Sequence, residues 1–227
     1  FDSNRQSGLI AITLKDGDEL VEIKQTSGTD NVLIITKNGK CISFSESEVR
    51  PMGRNAGGVR AISLDDDDEV VAMQLVQPEE ELLVVTSKGY GKRTKVEEYK
   101  LQTRGGKGLL TYDKSKFKKT GQLIGAIVVN DEDEVMLINS KGTVIRIAAG
   151  EIAQLGRATQ GVKIMRTGED IEIISMSKVI NEEERAKDAE LAAKQKKQRK
   201  AEEAKAREAA SAGAGEDDDA EQTSMDI

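Results

Sequence analysis

Leu82-Leu83-Val84-Val85-Thr86-Ser87-Lys88-Gly89-Tyr90-Gly91-Lys92-Arg93-Thr94 decides how the chain is read. Four consecutive aliphatic residues end on a Lys-Gly turn and a second extended run follows, the pattern of two antiparallel strands buried on both faces and joined by a hairpin. The same device recurs at 32–36 with Asn38-Gly39 and at 135–138 with Lys141-Gly142, so the turn glycines are 50 and 53 residues apart. Nineteen residues after each stands another glycine, Gly58, Gly108 and Gly161, and four residues before each of these an arginine, Arg54, Arg104 and Arg157. Nineteen residues before each turn glycine an apolar residue opens a further run, Leu20, Val70 and Leu123. Three independent offsets agree across three units, which makes residues 1–177 a repeat array.

Each unit predicts four strands. In order along the units, these are 20–23, 70–75 and 123–129; 32–36, 82–86 and 135–138; 40–44, 91–94 and 143–147; and 59–64, 109–112 and 162–166. Four strands per ~50 residues is the period of a propeller blade. The reading is all-β: a remnant of a preceding blade at 1–14, then complete blades at 15–64, 65–112 and 113–177. Three blades and a remnant fall short of the four to eight that close a ring, and the chain opens on Phe1, so the expectation is either partner blades upstream or an array that does not form a closed ring.

Composition narrows the chemistry. The 227 residues are 37% hydrophobic, below the ~45–50% usual for globular domains, and contain no histidine and one cysteine. Histidine-based triads and His-ligated metals are excluded, and Cys41 reads as a structural thiol. No run approaches the ~18 apolar residues of a membrane span and no signal pattern opens the chain, which predicts a soluble, cytoplasmic protein. Beyond residue 177 the chain carries 10 basic and 14 acidic residues and few bulky apolar ones. Residues 178–210 read as a charged helical extension with i,i+4 pairs such as Glu183/Lys187, and 211–227 as a disordered acidic tail. Glycine-rich pieces near Gly89 and Gly105 lack phosphate-loop spacing, and the acidic run 65–69 reads as a solvated turn.

Charge is unevenly spread. The net charge is -7, yet residues 88–119 hold 11 Lys/Arg against three Asp/Glu, a local +8. A surface of that sign attracts a polyanion and releases its counterions. Arginines 54, 104 and 157 recur at one place per unit and predict evenly spaced cations along one rim, which suits a bent phosphate backbone. Few aromatics are available for base stacking, so the expectation is sequence-independent contact with duplex DNA.

The motifs also resemble a known family. Gln102-Thr103-Arg104-Gly105-Gly106-Lys107-Gly108 is similar to the Q-R-R-G-G-K-G box of the DNA gyrase A subunit, with Thr103 in place of the first arginine. Residues 50–59 and 155–162 look like later-blade versions of it, and Asp16-Gly17-Asp18-Glu19-Leu20 looks like another part of the same C-terminal domain. The resemblance covers about residues 1–177 and implies a six-bladed β-pinwheel of which these units are the last. It further implies DNA wrapping that supports ATP-dependent negative supercoiling by an A2B2 holoenzyme, in which the partners are a second A subunit together with the B subunits. On that reading this chain is a non-catalytic part of a type II topoisomerase, an isomerase. ATP and Mg2+ serve the holoenzyme, and no cofactor, metal or catalytic residue is assigned here. Lys92, Arg93, Lys95, Arg104 and Lys107 are the first candidates for DNA contact, with Arg54, Arg146 and Arg157 next; Gln102, Arg104, Gly105, Gly106, Lys107 and Gly108 form the box-like motif. Two alternatives stay open: the C-terminal domain of the topoisomerase IV A subunit, and a propeller serving as a protein-binding platform. The acidic tail reads as a solubilising extension, with competition of residues 217–221 against DNA for the basic rim as the alternative.

Overall fold

A computed structural model describes residues 9–180; the extension from residue 181 on and the acidic tail lie outside the described residues, as do most of the residues of the expected blade remnant. The described part is all-β apart from short 3-10 turns and one helical turn. Each of the three quoted hairpins forms. Strands β1 (Asn31–Thr36) and β2 (Lys40–Ser45) pair antiparallel, as do β4 (Glu81–Thr86) with β5 (Tyr90–Lys95) and β8 (Glu134–Asn139) with β9 (Val144–Ala148). All three turn glycines take left-handed backbone, with φ of 76°, 77° and 78° at Gly39, Gly89 and Gly142. A 3-10 turn follows each third strand, at Glu46–Glu48, Val96–Glu98 and Ala149–Glu151.

Sheets and sequence units do not coincide. The first two central pairs are completed by strands of the following unit: β1–β2 takes β3 (Val70–Val76) on one edge and the two-residue β6 (Leu109–Leu110) on the other. The β4–β5 pair takes β7 (Leu123–Val129) and β10 (Val162–Lys163) in the same places. The third sheet has three strands, with β11 (Ile173–Lys178) beside β8. Contiguous blades at 15–64, 65–112 and 113–177 are therefore corrected to interlocked ones. The physical reason is edge pairing, because a central hairpin exposes two unsatisfied backbone edges and the next unit supplies both strands that cover them. Residues 20–23 and 59–64, expected as strands, are not strands, and Leu20, Val21 and Ile23 stand exposed.

The core follows from alternation. Leu82, Leu83, Val84 and Val85 are all fully buried, and successive side chains point to opposite faces. Leu82 and Val84 pack with Leu33, Ile35 and Cys41 of the first sheet, while Leu83 and Val85 pack with Val135 and Leu137 of the third. Strand β4 is thus covered on both sides, and each such side chain contributes about 1.5–3 kcal/mol of burial. A helical turn at Phe117–Thr120 (α1) stacks Phe117 on Tyr112, with ring centroids 5.7 Å apart.

Candidate nucleic-acid interface

The box-like segment is laced into the molecule by its backbone. The Gln102 N–H donates to the Ser43 carbonyl at 2.7 Å, the Gly105 N–H to Ala61 at 2.7 Å, and the Ser63 N–H to Gly106 at 2.8 Å. Gly108 ends the segment at φ 71°, and a Cβ there would stand 2.3 Å from the Cys41 carbonyl oxygen. Gly161 repeats this at φ 75°, with a Cβ 2.6 Å from the Gly91 oxygen. Only glycine permits both the left-handed conformation and the close approach of strands β6 and β10 to their neighbours. The Gln102 Oε1 and the Arg104 Nε are buried without a hydrogen-bond partner among the described residues.

The recurring arginines stand at equivalent places. Arg54 is exposed, and Arg104 and Arg157 are half-buried. The Nη1 of each donates to a backbone carbonyl of the preceding unit: Arg54 to Ile10 at 3.4 Å, Arg104 to Arg60 at 2.6 Å and Arg157 to Leu110 at 3.0 Å. The N–H groups of Arg104 and Arg157 also donate to the carboxylates of Glu48 and Glu98, at 2.9 and 3.0 Å.

Two of the first candidates are not at the surface. Lys92 has no exposed area; its ammonium donates to the carbonyls of Gly156 (2.7 Å) and Arg157 and to the Thr159 hydroxyl (3.2 Å). Burial lowers its pKa from 10.5 to about 8. Arg93 is 6% exposed and gives its donors to Glu81, Asp131 and the Ile152 carbonyl. Both expectations of DNA contact are corrected, since side chains that are buried and partnered within the chain do not reach a phosphate. Arg146, one unit on from Arg93, is exposed and pairs with Glu134. The repeat alignment carried the signal for Lys92, because it shares its column with Ile42 and Ile145, a core position.

Lys95 and Lys107 are exposed, and so are Lys116, Lys118, Lys119 and Lys163. Among the described residues no carboxylate lies within ion-pair distance of these six. Motif reasoning named only Lys95 and Lys107 of the six; of the four it missed, Lys119 and Lys163 flank the ring of Tyr90, 5.6 and 5.0 Å from its centroid. By contrast, the acidic turn at 65–69 neutralises the first hairpin, where Lys37 meets Glu69 at 2.6 Å and Lys40 meets Asp65 at 2.8 Å. Lys40 holds the Asp65 carboxyl below its ordinary pKa. The six lysines lie accordingly between residues 95 and 163, five of them at 95–119.

Interlocked antiparallel sheets at a period near 50 residues, each with an Arg-to-Gly loop, define a propeller-type domain. A family model described as "DNA gyrase C-terminal domain, beta-propeller" matches residues 2–27, 30–77, 80–130 and 133–179. The chain belongs to that family. It is 57% identical over 175 residues to the DNA gyrase A subunit of Clostridium acetobutylicum, covering 77% of this chain and 21% of that protein. It is 41% identical over 190 residues to the DNA gyrase A subunit of Mycolicibacterium smegmatis, covering 82% and 22%. The chain thus spans about a fifth of the length of these curated relatives. A solved structure of a DNA gyrase A C-terminal domain superposes with TM-score 0.72 at 29% identity, over 77% of this chain and 59% of that one. The C-terminal domain of a DNA topoisomerase IV superposes with TM-score 0.71 at 30% identity, over 74% and 52%.

Proposed function

We propose that this chain binds duplex DNA through the phosphate backbone and bends it, as the wrapping domain of a gyrase A subunit. The observation that carries the reading is the set of exposed lysines without carboxylate partners, Lys95, Lys107, Lys116, Lys118, Lys119 and Lys163, on a family member whose total charge is negative. Bending DNA over a domain-sized radius costs on the order of 1–6 kcal/mol, and several weak phosphate contacts offset it. None of these side chains performs chemistry. In the complete protein the bent segment would be presented for strand passage together with a second A subunit plus the B subunits, in the cytoplasm, with ATP hydrolysed elsewhere in the assembly. No helix among the described residues is long and apolar enough to cross a membrane. The two superpositions are nearly equal, so the fold does not separate gyrase from topoisomerase IV, and the 57% identity to a gyrase A subunit favours the former.

The test is a mobility shift of linear duplex DNA by the 227-residue chain across a salt series. Affinity should fall steeply and linearly in log–log form as salt rises. Absence of binding at low salt would sink the reading and leave the protein-binding platform.

A further inference from the structure

We propose that Arg54, Arg104 and Arg157 are inter-unit staples, positioning residues that set the angle between successive units and so the curvature imposed on DNA, and are not phosphate ligands. The proposal rests on the DNA-bending reading and specifies a device within it. The three acceptors, the carbonyls of Ile10, Arg60 and Leu110, are spaced 50 residues apart, and each lies two residues after a repeat glycine, Gly8, Gly58 or Gly108. The Arg54 and Arg104 motifs therefore each send a guanidinium back to the preceding unit and offer a carbonyl, Arg60 or Leu110, to the following one. The links run head to tail through the array.

A second tie runs beside the first. Glu48 and Glu98 are 50 residues apart, each just after a third strand, and accept from the backbone N–H of Arg104 and Arg157. Arg157 joins two sheets directly: its loop is held to β5 by the Leu155 N–H to the Arg93 carbonyl at 2.8 Å, while its acceptor Leu110 belongs to β6 of the first sheet. A planar guanidinium has fixed donor directions, so such a bond constrains orientation as well as distance. The equivalent half-buried arginine, Arg104, has its Nε wholly covered, which suits a joint better than a freely moving surface cation.

The experiment uses Arg157→Met and Glu98→Ala in the complete protein that carries this chain. Spin labels at the exposed Ser47 and Glu97, one beyond each sheet's third strand, report the angle between the first two sheets without DNA. The proposal expects Arg157→Met to broaden the distance distribution and to reduce the linking-number shift per bound molecule on relaxed circles. The slope of log affinity against log salt should stay unchanged. Glu98→Ala, which removes no cation, should reproduce the reduced shift. A slope lowered by about 0.9, with an unaltered distance distribution and shift, would overturn the proposal in favour of direct phosphate contact. Failure of the unsubstituted protein to bind or shift circles would reject the DNA reading, and the label distances alone would then decide the staple.

Discussion

The Lys92 ammonium stands 2.7 Å from the carbonyl oxygen of Gly156 on a side chain with no exposed surface. A charge so placed holds the loop that carries Arg157, but it is held at a cost. Because the folded-state pKa is about 8 against 10.5 for the free side chain, the unfolded chain keeps a proton between those values that the folded one releases. Stability from this group is constant below pH 8 and rises from there to pH 10.5. Relative to Lys92→Ile, the residue type at 42 and 145, the native protein should gain up to about 3 kcal/mol between about pH 7 and 10. Urea midpoints at the two pH values check this, and parallel behaviour of the two proteins would refute it.

Arg93 and Arg146 occupy matching positions and should respond unequally. Arg93→Met removes a nearly buried guanidinium from Glu81 and should cost about 3 kcal/mol or more. Arg146→Met acts on an exposed pair with Glu134 and should leave the thermal midpoint where it was.

Gly58 and Gly108 share left-handed backbone, with φ of 76° and 71°. Alanine at either meets the conformational penalty of about 1–3 kcal/mol. At Gly108 it also collides with the Cys41 carbonyl, whereas nothing lies within 4 Å at Gly58. Denaturant unfolding should rank Gly108→Ala well below Gly58→Ala in stability.

Lys95→Gln and Lys107→Gln should each weaken DNA binding evenly across sequences and lower the salt slope by about 1. Fluorescence anisotropy on two unrelated duplexes at several salt concentrations measures both effects. A sequence-dependent loss would argue for base contact instead.

Cys41 is buried and its thiol is pushed up to about 12, chiefly by desolvation. Thiol reagents at about pH 8 should therefore modify the native protein only at the rate at which the first sheet opens. Fast labelling without denaturant would contradict the packing around β2.

The hairpins were legible because their signals are local: aliphatic runs such as 82–85, ended by a turn glycine. The partnership of strands was not, because β6 and β10 are two residues long and pair with residues about 70 positions earlier, at Lys40 and Tyr90. Strand β11 carries no comparable signal, since Ile173-Ile174-Ser175-Met176 has no turn glycine at the repeat offset. Among the candidate contacts, Lys107 and Lys95 lie where charge reasoning put them, at the surface. Lys92 and Arg93 do not, because a local run of cations carries no information about which face of a strand is covered by the next unit.

Interlocking has a consequence for how such arrays change length. Excising one whole repeat such as 65–112 would remove two strands from each of two sheets, β3 and β6 from the first and β4 and β5 from the second. It would also deliver the strands of the following repeat to the vacated edges. The edges are interchangeable in register: β3 on β1 and β7 on β4 show the same irregularity, between Ile35/Thr36 and between Val85/Thr86. In-phase loss or duplication thus heals itself, while a cut of half a repeat strands an open hairpin. Blade number is a property that genetic recombination can alter without disturbing any single joint.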